Sequence, residues 1–177
     1  MSERNRLANG RFVHDLDNWT VDGAVYSAGD GDEHYGVAVL SSGGDYIEQT
    51  FSVARVRAYS LHVAVKAVGV TLSGANVTAL ITDGDGNTVT TENLSGAADT
   101  WTENTITLGL AGGTTYTLRI TNNDAGADVR LDDVWVWHVA MTRATLAARV
   151  HAKLARLASQ RSLSTAADGA LTEGDYT

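Results

Sequence analysis

Up to Ala140 this chain is a succession of ten segments in which apolar and polar residues alternate, each closed by turn-forming residues, with no helix-period stretch between them. They fall at about 7–13, 19–27, 35–41, 45–53, 58–68, 76–83, 87–93, 101–110, 114–122 and 128–139. In Tyr59-Ser-Leu-His-Val-Ala-Val65 and Tyr116-Thr-Leu-Arg-Ile120, alternation sends one set of side chains to a core and the other to the opposite face. Strands at even spacing, without crossover helices, pair antiparallel and stack as a sandwich. Past Ala140 the period lengthens. Leu146, Val150, Leu154 and Leu157 recur at helical spacing in an Ala-rich stretch without Gly or Pro. The organisation read from this pattern is a β domain over 1–140, one amphipathic helix over 141–161 and a polar tail over 162–177.

Turn chemistry fixes where the strands end. Ser41-Ser-Gly-Gly44, Leu110-Ala-Gly-Gly113 and Asn122-Asn-Asp-Ala-Gly126 supply residues that tolerate positive φ. Asp83-Gly-Asp-Gly-Asn87 reads as a hairpin turn. Its Asp-x-Asp-x-Asn spacing resembles the start of an EF-hand loop, but Gly86 precedes the Asn and no helix flanks the segment. The alternation assigns Leu61, Val63, Val65, Val77, Ala79, Ile81, Ile106, Leu108, Leu118 and Ile120 to the core. It sends His62, Lys66, Thr78, Thr117 and Arg119 outward. In the last strand Val129 and Leu131 have odd parity, while Val134 and Val136 have even parity. A bulge at Asp132-Asp133 reconciles them, because one extra residue exchanges the faces.

Composition narrows the function. The 177 residues suffice for one sandwich, and the absence of Cys removes disulfides and thiolate metal sites. No stretch approaches the roughly 20 apolar residues of a membrane-spanning helix. Met1-Ser-Glu-Arg-Asn-Arg6 leads into no apolar run, so no signal peptide is visible. Residues 1–140 carry 18 acids against 8 Lys and Arg, whereas 141–161 carry five bases and no acid. An acidic sandwich repels nucleic acid. The basic helix has its nearest anionic partner in its own domain or in an identical neighbour. Catalysis finds no foothold: His14, His34, His62, His138 and His151 are scattered, and there is no Gly-x-Ser-x-Gly or phosphate-cradling loop.

Asn9-Gly10-x-Phe12 followed by Asp17-Asn-Trp19 resembles the opening of the carbohydrate-binding modules of families 4, 9 and 22. The resemblance continues through Asp45-Tyr-Ile-Glu-Gln-Thr-Phe51, Ala58-Tyr-Ser-Leu-His-Val-Ala-Val-Lys66, Trp101-Thr-Glu103 and Thr115-Tyr-Thr-Leu-Arg-Ile120 to Val129-Arg-Leu-Asp-Asp-Val134. It covers residues 7–139 in order and implies an all-β antiparallel jelly-roll sandwich. It also implies a structural Ca²⁺ beside the first and last strands. Here Val13 stands where the family places a Glu, leaving Asp132, Asp133 and main-chain oxygens near Asn9 as ligands. No cofactor is otherwise required.

Sugar binding requires aromatic platforms. The candidates are Trp135 and Trp137, which share one face of the last strand and serve as either ligand platform or packing interface, and Tyr46, with Tyr26 and Tyr35 also near loops. Trp19 and Trp101 read as structural. The function expected is a non-catalytic structural or binding module in a virion: a phage decoration, adaptor or tail-associated protein. Leu146, Val150, Leu154 and Leu157 would anchor it to protein partners or to copies of itself. The alternative is a module that recognises a polysaccharide, on a host-attachment or glycan-active protein. The expected place is accordingly a virion or the extracellular space.

Overall fold

The computed structural model describes residues 5–32, 36–55 and 57–139, which belong to the unit Met1–Val139. The helix expected over 141–161, with Leu146, Val150, Leu154 and Leu157, lies outside the described residues, as does the tail. Ten strands form: β1 (Thr20–Asp22), β2 (Val25–Ala28), β3 (Gly36–Leu40), β4 (Tyr46–Val53), β5 (Arg57–Val68), β6 (Val77–Asp83), β7 (Thr88–Asn93), β8 (Thr102–Leu110), β9 (Thr114–Asn122) and β10 (Asp128–His138). They make two five-stranded antiparallel sheets, ordered β1-β4-β9-β6-β7 and β2-β3-β10-β5-β8. We call them the first and second sheets.

Between the sheets lies the alternating set read from the sequence. Leu61, Val63, Val65, Val77, Ala79, Ile81, Leu108, Leu118 and Ile120 are buried, and Ile106 packs on them partly covered. Among the buried polar side chains, Asn122, fully buried, donates to the carbonyls of Leu40 at 3.0 Å and Ala127 at 2.9 Å. The Asp83–Asn87 segment is a hairpin turn between β6 and β7. Asp83 Oδ1 accepts from the N–H groups of Asp85 and Asn87, and Gly86 takes a φ of 83° that a side chain would resist.

The first expected strand, 7–13, does not form. Asn9 and Phe12 adopt φ of 47° and 44°, which breaks the extended backbone and drives the Phe12 ring into the core against Trp19, 5.7 Å between centroids. Residues 5–10 instead run as a strap along the upper half of β10, where β3 no longer reaches. Arg6 N–H donates to the Val136 carbonyl and Val134 N–H to the Gly10 carbonyl, each at 2.8 Å. The expected strand 19–27 divides into β1 and β2 at Gly23, and the two halves enter different sheets.

The bulge falls where parity required it. Asp132 faces Ala64 on β5, but Trp135 faces His62, so three steps on β10 span two on its neighbour. Asp133 absorbs the extra residue at a φ of 46°. Val134 and Val136 therefore return to the core, and the indoles of Trp135 and Trp137 are turned to the outer face of the second sheet.

Candidate functional site

Cross-strand register assembles the outer face of the second sheet. Trp135 stands beside His62, which faces Thr105 on β8; Ala64 faces Glu103; Val65 faces Thr102, which sets the preceding Trp101 alongside Lys66. His62 and Trp137 lie nearly parallel, 5.6 Å between centroids at 20°, and Trp135 tilts against Trp137 at 6.2 Å. The Arg11 guanidinium covers Trp135 at 4.4 Å, and the Lys66 ammonium sits 5.3 Å from the Trp101 ring. Three of the four tryptophans thus share one sheet face, each partly exposed.

Carboxylates lie between the aromatic groups. Glu103 pairs with His62 and hydrogen-bonds Asp32, whose N–H donates to Asp132 Oδ2 at 2.9 Å. Asp30 pairs with Lys66 at 2.6 Å and with Arg130, drawing residues 30–32 across the sheet. Burial pushes the Glu103 carboxyl above its ordinary range; the His62 charge opposes this, while the bond to Asp32 and the charges of Asp32 and Asp133 add to it. A carboxyl raised on folding favours the folded state while protonated, and that contribution is lost as pH rises through its folded value. Glu103→Gln should therefore match wild type in acid and melt higher at pH 7. Because the side chain is half exposed, screening holds the gain to about 1–2 °C. A lower melting temperature than wild type at pH 7 would show the His62 pair to dominate.

Asp132 and Asp133 serve the backbone at the bulge. Asp132 Oδ1 accepts from Asp133 N–H at 2.7 Å, and Asp133 Oδ1 accepts from Trp135 Nε1 at 3.0 Å, with Arg11 Nε at 3.8 Å. Near the strap, Asp15 O, Asp15 Oδ1 and Asp17 O converge on the Asn9 side-chain amide at 3.0, 3.2 and 3.1 Å. An N–H donor group thus stands among the oxygens. Ca²⁺ takes six to eight oxygens, and among the described residues no three His, Cys, Asp or Glu are grouped to hold a metal. The contacts are those of a hydrogen-bonded network, and the residues present do not fit the implied ion.

Tyr46 belongs to the opposite face. It carries the Arg119 guanidinium at 4.2 Å, and Arg119 pairs with Glu48 at 2.7 Å. The adjoining recess of about 190 Å³, bounded by Leu80, Thr82 and Thr117, is lined without an aromatic ring. Tyr26 is tied by its hydroxyl to the Val13 carbonyl.

The structure therefore brings together Trp135 and Trp137 and separates them from Tyr46. It adds Trp101, His62 and Glu103, whose common face depends on the β5–β8 register. Trp101, read as structural, stands on the outer face beside Lys66.

No family model matches the sequence, and no curated protein matches it. Solved structures do. A CBM61 module, TmCBM61, in complex with β-1,4-galactotriose is 15% identical with a TM-score of 0.58, over 77% of this chain and 99% of that one. A family 35 carbohydrate-binding module from Clostridium thermocellum is 19% identical with a TM-score of 0.56, over 78% and 100%. The enzymatically active domain of bacteriophage CBA120 tailspike protein 4 is 16% identical with a TM-score of 0.55, over 76% of this chain but 21% of that one. The sandwich has the carbohydrate-binding-module jelly-roll fold.

Proposed function

We propose that this sandwich is a non-catalytic module that binds a polysaccharide across the outer face of its second sheet. The observation that carries the reading is the convergence of Trp101, Trp135, Trp137 and His62 on that face, with Glu103 among them. Aromatic rings offer sugars an apolar surface, and carboxylates accept from their hydroxyls. Trp137 faces Ser60, and Trp101 adjoins Lys66, six residues along β5. At about 3.3 Å per residue, the strip is roughly 20 Å long, enough for several sugar units. The likeness to modules such as TmCBM61, itself solved with a galactotriose, supports the class of ligand.

Glycan arrays and affinity gels test this with intact protein. Trp137→Ala and Trp101→Ala are each expected to weaken binding at least about tenfold, or ~1.4 kcal/mol, with the β fold retained by circular dichroism. Tyr46→Ala on the opposite sheet should leave affinity unchanged. The reverse pattern would move the site to the first sheet, and blank arrays would remove the reading.

A second reading places the module in a virion, where sugar binding and assembly are compatible. Its support is the likeness to a domain of a phage tailspike, a protein of which this chain spans about a fifth of the compared length. In that setting residues 141–161 would join the sandwich to its partners.

A further inference from the structure

A recess of about 340 Å³ opens at the edge of the proposed glycan face, between the strap and β10. Leu7, Val13 and one side of Trp135 supply its apolar walls, and Asn9 and Arg11 its polar groups. Arg11 is the unusual member. Its side chain is half exposed, and its guanidinium lies 4.4 Å over the Trp135 ring. Among the described residues its carboxylate neighbour is Asp133, whose Oδ1 is 3.8 Å from Nε, beyond hydrogen-bond distance. Both terminal nitrogens, with four N–H donors, have no partner among the described residues. Asn9 spends its amide hydrogens on Asp15 and Asp17, leaving its Oδ1 as an acceptor without a partner among the described residues.

We infer that this recess receives a carboxylate-bearing sugar unit of the polysaccharide, with Arg11 as the residue that selects it. The inference rests on the polysaccharide reading above. A guanidinium fork matches a carboxylate with two parallel bonds, which a hydroxyl cannot reproduce. Stacking on Trp135 and the nearby Asp133 charge hold that fork in place, so less side-chain freedom is lost on binding. The Asn9 acceptor and the apolar walls suit the hydroxyls and ring of the same unit. The charge of the domain sets a further condition. With 18 acids against 8 bases in residues 1–140, a densely anionic polymer is repelled. The fitting ligand is therefore an isolated uronate on an otherwise neutral chain.

The test compares xylotetraose bearing one glucuronate with its carboxyl-reduced twin, by titration of intact protein at low salt. Wild type should bind the acidic form at least about fivefold more tightly, which is about 1 kcal/mol. Arg11→Gln should abolish that preference while keeping affinity for the reduced twin; Arg11→Lys should keep part of it. Trp137→Ala should weaken both forms alike. Equal affinity for the twins in wild type, or a preference unchanged in Arg11→Gln, overturns the inference and leaves the polysaccharide reading intact. Failure of both twins, together with blank glycan arrays, overturns both.

Discussion

Replacing Gly10 by Ala should cost this domain about 3 kcal/mol and lower its melting temperature by roughly 10 °C. The methyl group has nowhere to go. A Cβ at Gly10 would lie 1.9 Å from the Val134 carbonyl oxygen and 3.0 Å from its carbon, and both are backbone atoms of a central strand. The strap must then lift away from β10. Lifting stretches the 2.8 Å bond from Val134 N–H to Gly10 O, the Arg6 bond to Val136 O, and the Asn5 side chain's bond to Val136 N–H. It also strains the clamp from the far sheet, where buried Gln49 accepts from Ala8 N–H at 2.6 Å and donates to Ala8 O at 3.0 Å. Each bond lost beside a buried partner costs about 1–3 kcal/mol, so the substitution combines overpacking with unsatisfied groups. Leu7 and Phe12, anchored in the core on either side of Gly10, transmit the shift inward. Thermal melting by circular dichroism measures the effect. A change of less than about 2 °C would mean that the strap does not close the sandwich.

That result bears on why the opening motif was legible as a pattern but not as a structure. Alternation around residues 7–13 suggests a strand, yet the motif is a set of backbone requirements that alternation does not encode. Asn9 tolerates left-handed φ, Gly10 admits the close approach of Val134, and Phe12 accepts φ of 44° in exchange for full burial of its ring. Where side-chain period alone decides, as in β5, β6 and β9, the strands and core residues match expectation to within a residue or two at the ends. The bulge was also legible, because two valines of the wrong parity leave no other way to bury both pairs. The functional face was less so. Trp135 and Trp137 announce themselves by sharing parity on one strand. Trp101, His62 and Glu103 join them only through the register between β5 and β8, which is a property of two strands together. Asp32 enters the same face from a loop, and no local pattern predicts where a loop will lie.

Leu154→Asp is expected to produce the other large effect, loss of self-association or partner binding with the sandwich still folded. Leu154 lies outside the described residues, and its sequence context carries the expectation. Leu146, Val150, Leu154 and Leu157 form a narrow stripe at helical spacing, widened by Ala144, Ala147, Ala148, Ala152, Ala155 and Ala158. Burying four such leucine-class side chains is worth on the order of 6–12 kcal/mol before entropy costs, at about 1.5–3 kcal/mol each. That rivals the net stability of a domain. Small residues flanking the stripe would allow close helix–helix approach, and the five bases of 141–161 would complement acidic sandwiches if copies of the chain associate. An aspartate at the centre of such a seam places a charge where burial was to occur, a cost large enough to break the association outright. The β domain holds its own core, so its circular dichroism and melting should stay as in wild type. Light scattering reads the mass directly. A wild type that is monomeric at high concentration and without its partners, or a variant that stays associated, would instead leave the stripe to an intramolecular role.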